Sequence, residues 1–195
     1  MTGVPQPAQP IFFYDLGSPA CYLAAERIMG ELPVAPEWEP VLGAALGGAD
    51  GRTEPDRDEV ERLVREQQLQ PLRWPDRWPP DTELAMLTAT YAKHVGRAVA
   101  FSLAAFRQAF AGGRDLGDQD TLLIAAAACE MHPTAVLKGV GLRSVRAGLD
   151  TANERARSAG VVSLPAIQVA DRLFDGEDAV TAAAAAAAAL GASEP

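Results

Sequence analysis

Ser18 and Cys21 stand three residues apart, just after the apolar β-type run Ile11 to Tyr14 and the turn Asp15-Leu16-Gly17. Ser followed by Pro is a strong helix-start pattern. Ser18 serves as N-cap, and Pro19 takes the first helical position, where its missing N–H costs nothing. The first turn of a helix presents unpaired N–H groups and the positive end of the dipole. A thiol placed there is more often a thiolate. A hydroxyl placed there can donate to a bound thiolate or carboxylate. Two plainer readings stand beside these. Ser18 can be an ordinary cap whose oxygen takes the N–H of residue 20 or 21, and Cys21 can be a small buried apolar residue. Spacing alone leaves both open.

The elements around this turn fall into three blocks. The first is β-α-β: strand Ile11–Tyr14, a helix from Tyr22 to Met29 ending near Gly30, and a strand over Glu37–Leu42, with a flexible loop from Gly43 to Asp50. The second is helical. Asp56–Leu69 is a charged amphipathic helix. Arg73–Asp81 holds two Trp and three Pro, too many Pro for a helix or a central strand. Helices then follow over Thr82–Val95, Arg97–Ala111, Asp118–Cys129, Pro133–Gly139 and Arg143–Ala159, broken at glycines. The third block is β-β-α: an apolar β-branched run from Gly160 to Val169, a turn at Ala170-Asp171-Arg172, a short partner strand at Leu173-Phe174, and a helix that starts near Asp175–Glu177 and runs through the alanine tract. The order predicts one α/β domain split over 11–50 and 160–195, with a helical insertion subdomain over 51–159.

Composition narrows the chemistry. The chain has 195 residues, 48% of them hydrophobic, and 17 Lys+Arg against 26 Asp+Glu give a net charge of −9. That is enough apolar material for a core, and the acidic balance excludes non-specific binding to nucleic acid or to an anionic membrane. Two Cys, Cys21 and Cys129, and two His exclude a disulfide-framed scaffold and a Cys-rich metal site, so no metal is expected. Residues 1–10 hold no Lys or Arg and repeat Pro, which reads as a short disordered lead-in rather than a signal peptide. The tract Ala182–Ala189 is too short and too weakly apolar to span a bilayer. A soluble, cytoplasmic protein is the expectation.

Phe13-Tyr14-Asp15-Leu16-Gly17-Ser18-Pro19-Ala20-Cys21-Tyr22-Leu23-Ala24 resembles the active-site turn of the DsbA-like thioredoxin-fold superfamily. More narrowly, it is similar to the branch of 2-hydroxychromene-2-carboxylate isomerases and kappa-class glutathione transferases, which read roughly F-Y-D-x-x-S-P-Y-S-Y-L. The disulfide oxidoreductases of the superfamily read C-P-x-C at this place, so Ser18 stands for the attacking Cys and Cys21 for the second one. The resemblance continues through Pro40–Leu46, the Pro-rich loop Arg73–Pro79, Phe110–Asp118, and Gly160–Val169 with Leu173–Asp178. It implies a thioredoxin-like fold, β-α-β … β-β-α, with a large all-helical insertion. It also implies a cis-proline at Leu164-Pro165 opposite the active-site turn, whose Leu164 backbone would pair with a ligand peptide as an added strand.

What the resemblance implies about function is a glutathione-dependent isomerase or transferase acting on an electrophilic or aromatic small molecule. Ser18, with Pro19 behind it, would hydrogen-bond the glutathione sulfur and favour its thiolate. Asp178 would hold the glutamyl amino group; otherwise it is a first-turn carboxylate complementing the dipole. Trp74 and Trp78 would wall an acceptor pocket, unless they simply pack the loop onto the helices. The branch's Arg after the aspartate is Ala179 here, and its Lys and Asn fall at Gly47 and at Asp50–Gly51; an acidic loop there repels a carboxylate-bearing substrate. Dimers are common in the branch, which makes a homodimer an expectation. Two other readings are a DsbA-type thiol–disulfide oxidoreductase working through Cys21, and a thioredoxin-fold binding module without catalysis.

Overall fold

The structure is a computed structural model that describes residues 9–47 and 54–192. The expected lead-in before residue 9, and Asp50–Gly51, lie outside the described residues. Four strands form one mixed sheet in the order β2-β1-β3-β4: β1 (Ile11–Tyr14), β2 (Glu37–Pro40), β3 (Ala166–Val169) and β4 (Arg172–Asp175). β1 runs parallel to β2 and antiparallel to β3, and β3 runs antiparallel to β4. The two ends of the chain thus share one sheet, with helices α2 to α7 inserted between them.

The helices are α1 (Pro19–Glu31), α2 (Arg57–Glu66), α3 (Glu83–His94), α4 (Ala98–Phe110), α5 (Gln119–Ala127), α6 (Pro133–Val140), α7 (Arg143–Ser158) and α8 (Ala179–Ala192). Several begin where a side chain takes orphan amides: Ser18 before α1, Asp56 before α2, Asp118 before α5 and His132 before α6. The third strand is shorter than the apolar run predicts. Residues 161 to 165 lie outside the ladder, and Pro165, with no N–H, cannot extend it on its donor side. The last helix starts at Ala179, later than the expected Asp175–Glu177, because Asp175 belongs to β4 and Gly176 turns the chain at a φ of 80°.

Side chains alternate across a strand, so Phe12 and Tyr14 share one face of the central strand and Phe13 the other. Phe12 and Trp38 meet edge to face at 5.0 Å, and Tyr14 reaches Phe106 of α4 at 6.0 Å. The Tyr14 hydroxyl is 2.6 Å from Ser102 Oγ on the same helix. One contiguous core runs from the sheet into α3, α4, α5 and α7. A small satellite core of Leu23, Val60 and Val64 holds α2 against α1. Among the described residues, no helix is long and apolar enough to cross a membrane.

Candidate functional site

The turn between β1 and α1 is built on a buried carboxylate. Asp15 is 7% exposed. Its Oδ1 accepts from the Gly17 N–H at 2.9 Å, and its Oδ2 from the Gly43 N–H at 2.8 Å and the Thr82 hydroxyl at 3.3 Å. One side chain therefore ties together the α1 turn, the segment after β2 and the start of α3. Burial pushes the Asp15 carboxyl above its usual range, against these three hydrogen bonds. Gly17 is required by space: a Cβ there would lie 2.6 Å from Thr82 Cγ2 and 2.8 Å from Pro80 Cγ.

Ser18 is the N-cap of α1, with its Oγ accepting the Cys21 N–H at 3.2 Å. A hydroxyl also carries one donor, and among the described residues nothing takes that hydrogen. Cys21 is 0% exposed and belongs to the main core. Of its two readings from sequence, the structure matches the buried apolar one. Its sulfur faces packing rather than solvent. Cys129 is also buried, just beyond the end of α5; its thiol donates to the Ala125 carbonyl at 3.3 Å, and burial pushes it up.

Two cavities flank this turn. One, of about 430 Å³, is walled by Ala20, Leu23 and Arg27 of α1, by Val60, Leu63 and Glu66 of α2, and by Leu164, Pro165, Glu177 and Asp178. The structure thus brings Leu164, Pro165 and Asp178 together beside the first turn of α1, and the Leu164–Pro165 bond is cis. The other, of about 500 Å³, is lined by Asp15, Gly17, Arg77, Pro79, Asp81 and Thr82 among others. Ser18, 8% exposed, is among the lining residues of neither, although its chain neighbours Gly17 and Ala20 each line one.

Neither tryptophan is among the residues that line the two cavities. Trp74 Nε1 donates to Glu61 of α2 at 3.0 Å, its ring meets Trp78 edge to face at 6.1 Å, and the Arg57 guanidinium lies 4.8 Å over it. Trp78 packs on the main core. Both are used to fasten the Pro-rich loop, in which Trp78–Pro79 is a second cis bond. Sequence reasoning missed α2 as a wall of the site. The spacing of Val60, Leu63 and Val64 announces an apolar face but not what that face covers. The role of Asp15 has no local signal: its three donors come from residues 17, 43 and 82, which no local pattern connects. Among the described residues no group of three or more His, Cys, Asp or Glu is placed to hold a metal.

No protein-family model matches the chain, and no curated protein matches it. Solved structures do. The 2-hydroxychromene-2-carboxylate isomerase structure superposes with a TM-score of 0.80 at 16% identity, covering 93% of this chain and 95% of that one. A probable DsbA oxidoreductase from Streptomyces coelicolor gives 0.72 at 16% identity, covering 96% and 91%. The cytosolic disulfide reductase DsbM from Pseudomonas aeruginosa gives 0.64 at 15%, covering 94% and 97%. With the sheet order, the split of the strands between the two chain ends and these superpositions along nearly its whole length, the chain has the DsbA-like thioredoxin fold with a helical insertion.

Proposed function

We propose that the protein is a thiol-dependent isomerase or transferase that takes its reactive sulfur from glutathione bound in the cavity between α1, α2 and the Leu164-Pro165 segment. The observation that carries this reading is a pair of facts about sulfur and space. The chain's own thiol at the turn, Cys21, has no exposed surface, whereas a cavity large enough for a short peptide lies against the same helix start. A disulfide-exchange cycle needs an accessible attacking thiolate and a resolving thiol, and Ser18 fills the place of the first.

In this reading the Ser18 hydroxyl keeps its capping bond and donates its hydrogen to the bound sulfur. With the positive end of α1 it lowers the ligand thiol's pKa. The thiolate electron pair forms a C–S bond to a conjugated carbon of the substrate while the double bond shifts onto the neighbouring atom. Rotation and loss of the same C–S bond returns the thiolate and completes an isomerisation; retention of the bond with protonation of the adjacent carbon completes a transfer. Asp178 at the start of α8 receives the ligand's ammonium.

The test is thermal stabilisation by reduced glutathione. At a concentration tenfold above Kd, binding adds about 1.4 kcal/mol, a rise in Tm of roughly 3–5 °C for a chain of this size. Ser18→Ala should weaken this shift and lower turnover by about 10²-fold, the usual cost of one donor at an anionic centre. In the folded protein at neutral pH, Cys21 should resist alkylation. No shift at millimolar concentration with either glutathione or its diethyl ester, or a Cys21 that alkylates rapidly, removes the proposal.

A further inference from the structure

We infer that this cavity selects a cysteinyl thiol whose carboxylates are absent or masked and which keeps a positive amine; the inference rests on the thiol-dependent reading above and names its ligand class. The floor is apolar, from Leu23, Val60, Leu63 and Leu164, but three carboxylates, Glu66, Glu177 and Asp178, stand in the wall. Arg27 is the one cation among the described lining residues, and it is already held. Its guanidinium donates in fork geometry to both oxygens of Glu31, at 2.6 and 3.1 Å, and to the Thr181 hydroxyl at 2.9 Å.

Among the described residues, Arg62, which pairs with the cavity wall, is engaged as well. Arg62 of α2 pairs with Glu59, with Glu66 at 2.6 Å and with Glu177 at 3.9 Å, so it bridges two of the wall's carboxylates rather than facing the cavity unshared. The positive end of α8 is complemented by Asp178 immediately before it. Ala179, the first residue of that helix, is a buried methyl with no charge to offer. A ligand carboxylate entering here would meet three like charges and compete with two formed ion pairs, while an ammonium would meet the opposite. At physiological salt, screening confines the effect to groups within about 8 Å.

The experiment compares glutathione with its diethyl ester, in which both carboxylates are capped and the thiol, amide bonds and ammonium remain, by titration calorimetry at low and at physiological salt. The ester should bind about tenfold more tightly at low salt, and the gap should narrow as salt rises. The double variant Glu66→Gln/Glu177→Gln should gain glutathione affinity and lose most of the preference. Both side chains are more than half exposed, so the variant keeps its fold. Glutathione binding as tightly as the ester overturns the inference alone. So does a preference that the double variant leaves unchanged, since the ethyl groups' hydrophobicity would then explain it. Binding of neither compound overturns the thiol-dependent reading itself.

Discussion

Asp15 and Ser18 divide the work of the turn. Ser18 spends one lone pair on the Cys21 amide and keeps its hydrogen, whereas Asp15 spends both oxygens on the scaffold and has three donors to satisfy. The two residues therefore respond to substitution in opposite ways. Ser18→Ala should cost about 1 kcal/mol of capping and most of the activity. Asp15→Asn replaces one acceptor oxygen by a donor and sets an NH2 against buried N–H or O–H groups. Leaving such donors unsatisfied should cost about 2–3 kcal/mol, a fall in Tm of roughly 4–12 °C. Calorimetric melting of the two variants checks this; an Asp15→Asn protein as stable as the parent would show that the carboxylate does not hold the turn. The sign of the pH effect follows as well. Because burial raises the folded-state pKa of Asp15, its ionisation weakens the fold as pH rises from its ordinary value of 3.8 to the raised one, and Asp15→Asn removes that component.

At the scale of elements, β2 is fastened to two helices of the insertion by charge. Lys93 of α3 donates to Glu37 at 2.8 Å and also pairs with Glu39, while Arg155 of α7 pairs with both carboxylates, Glu37 at 3.0 Å. Burial alone would raise the Glu37 carboxyl, but the Arg155 and Lys93 hydrogen bonds outweigh it and hold it below its ordinary 4.5. A depressed folded-state pKa stabilises the protein above the unfolded value, and that contribution is lost as pH falls through the folded one. Glu37→Gln should therefore lower Tm at neutral pH and flatten its decline below about pH 4.5; a Tm–pH curve parallel to the parent's would exclude the role. The sequence made the element starts readable wherever a cap carries the signal, as at Ser18-Pro19, Asp118 and His132-Pro133. It did not make this cluster readable, nor the wall formed by α2, because Glu37, Lys93 and Arg155 are more than fifty residues apart and each alone is an ordinary surface charge. That Leu164, Pro165 and Asp178 come together at one cavity beside α1 was legible only through the family resemblance. Trp74 and Trp78 are ambiguous in sequence for a physical reason: an indole beside a site is as useful for fastening a loop as for binding, and only long-range contacts, such as those of Trp74 with Glu61 and Phe110, show what it packs on.

At the scale of the molecule, an insertion of about a hundred residues could have formed a second folding unit, and the core argues that it did not. Phe12, Trp38 and Ile167 of the sheet belong to the same buried cluster as Phe101, Phe106, Leu122 and Leu149 of the insertion. α3 and α7 pack on β2, and α4 packs on α1. Opening either part would expose apolar surface of the other, which makes partial unfolding costly and couples the two. Urea unfolding should then be a single transition. In a Trp74→Phe/Trp78→Phe variant, Trp38 fluorescence reports the sheet and far-UV circular dichroism is dominated by the helices. The two midpoints should coincide, and a fluorescence transition displaced from the helical one would mean that sheet and insertion fold separately. Among the described helices, α2, on its satellite core of Leu23, Val60 and Val64, lies outside this coupling. The α2 wall of the cavity is thus the part least bound to the cooperative core, whereas the Asp15 turn is tied into it.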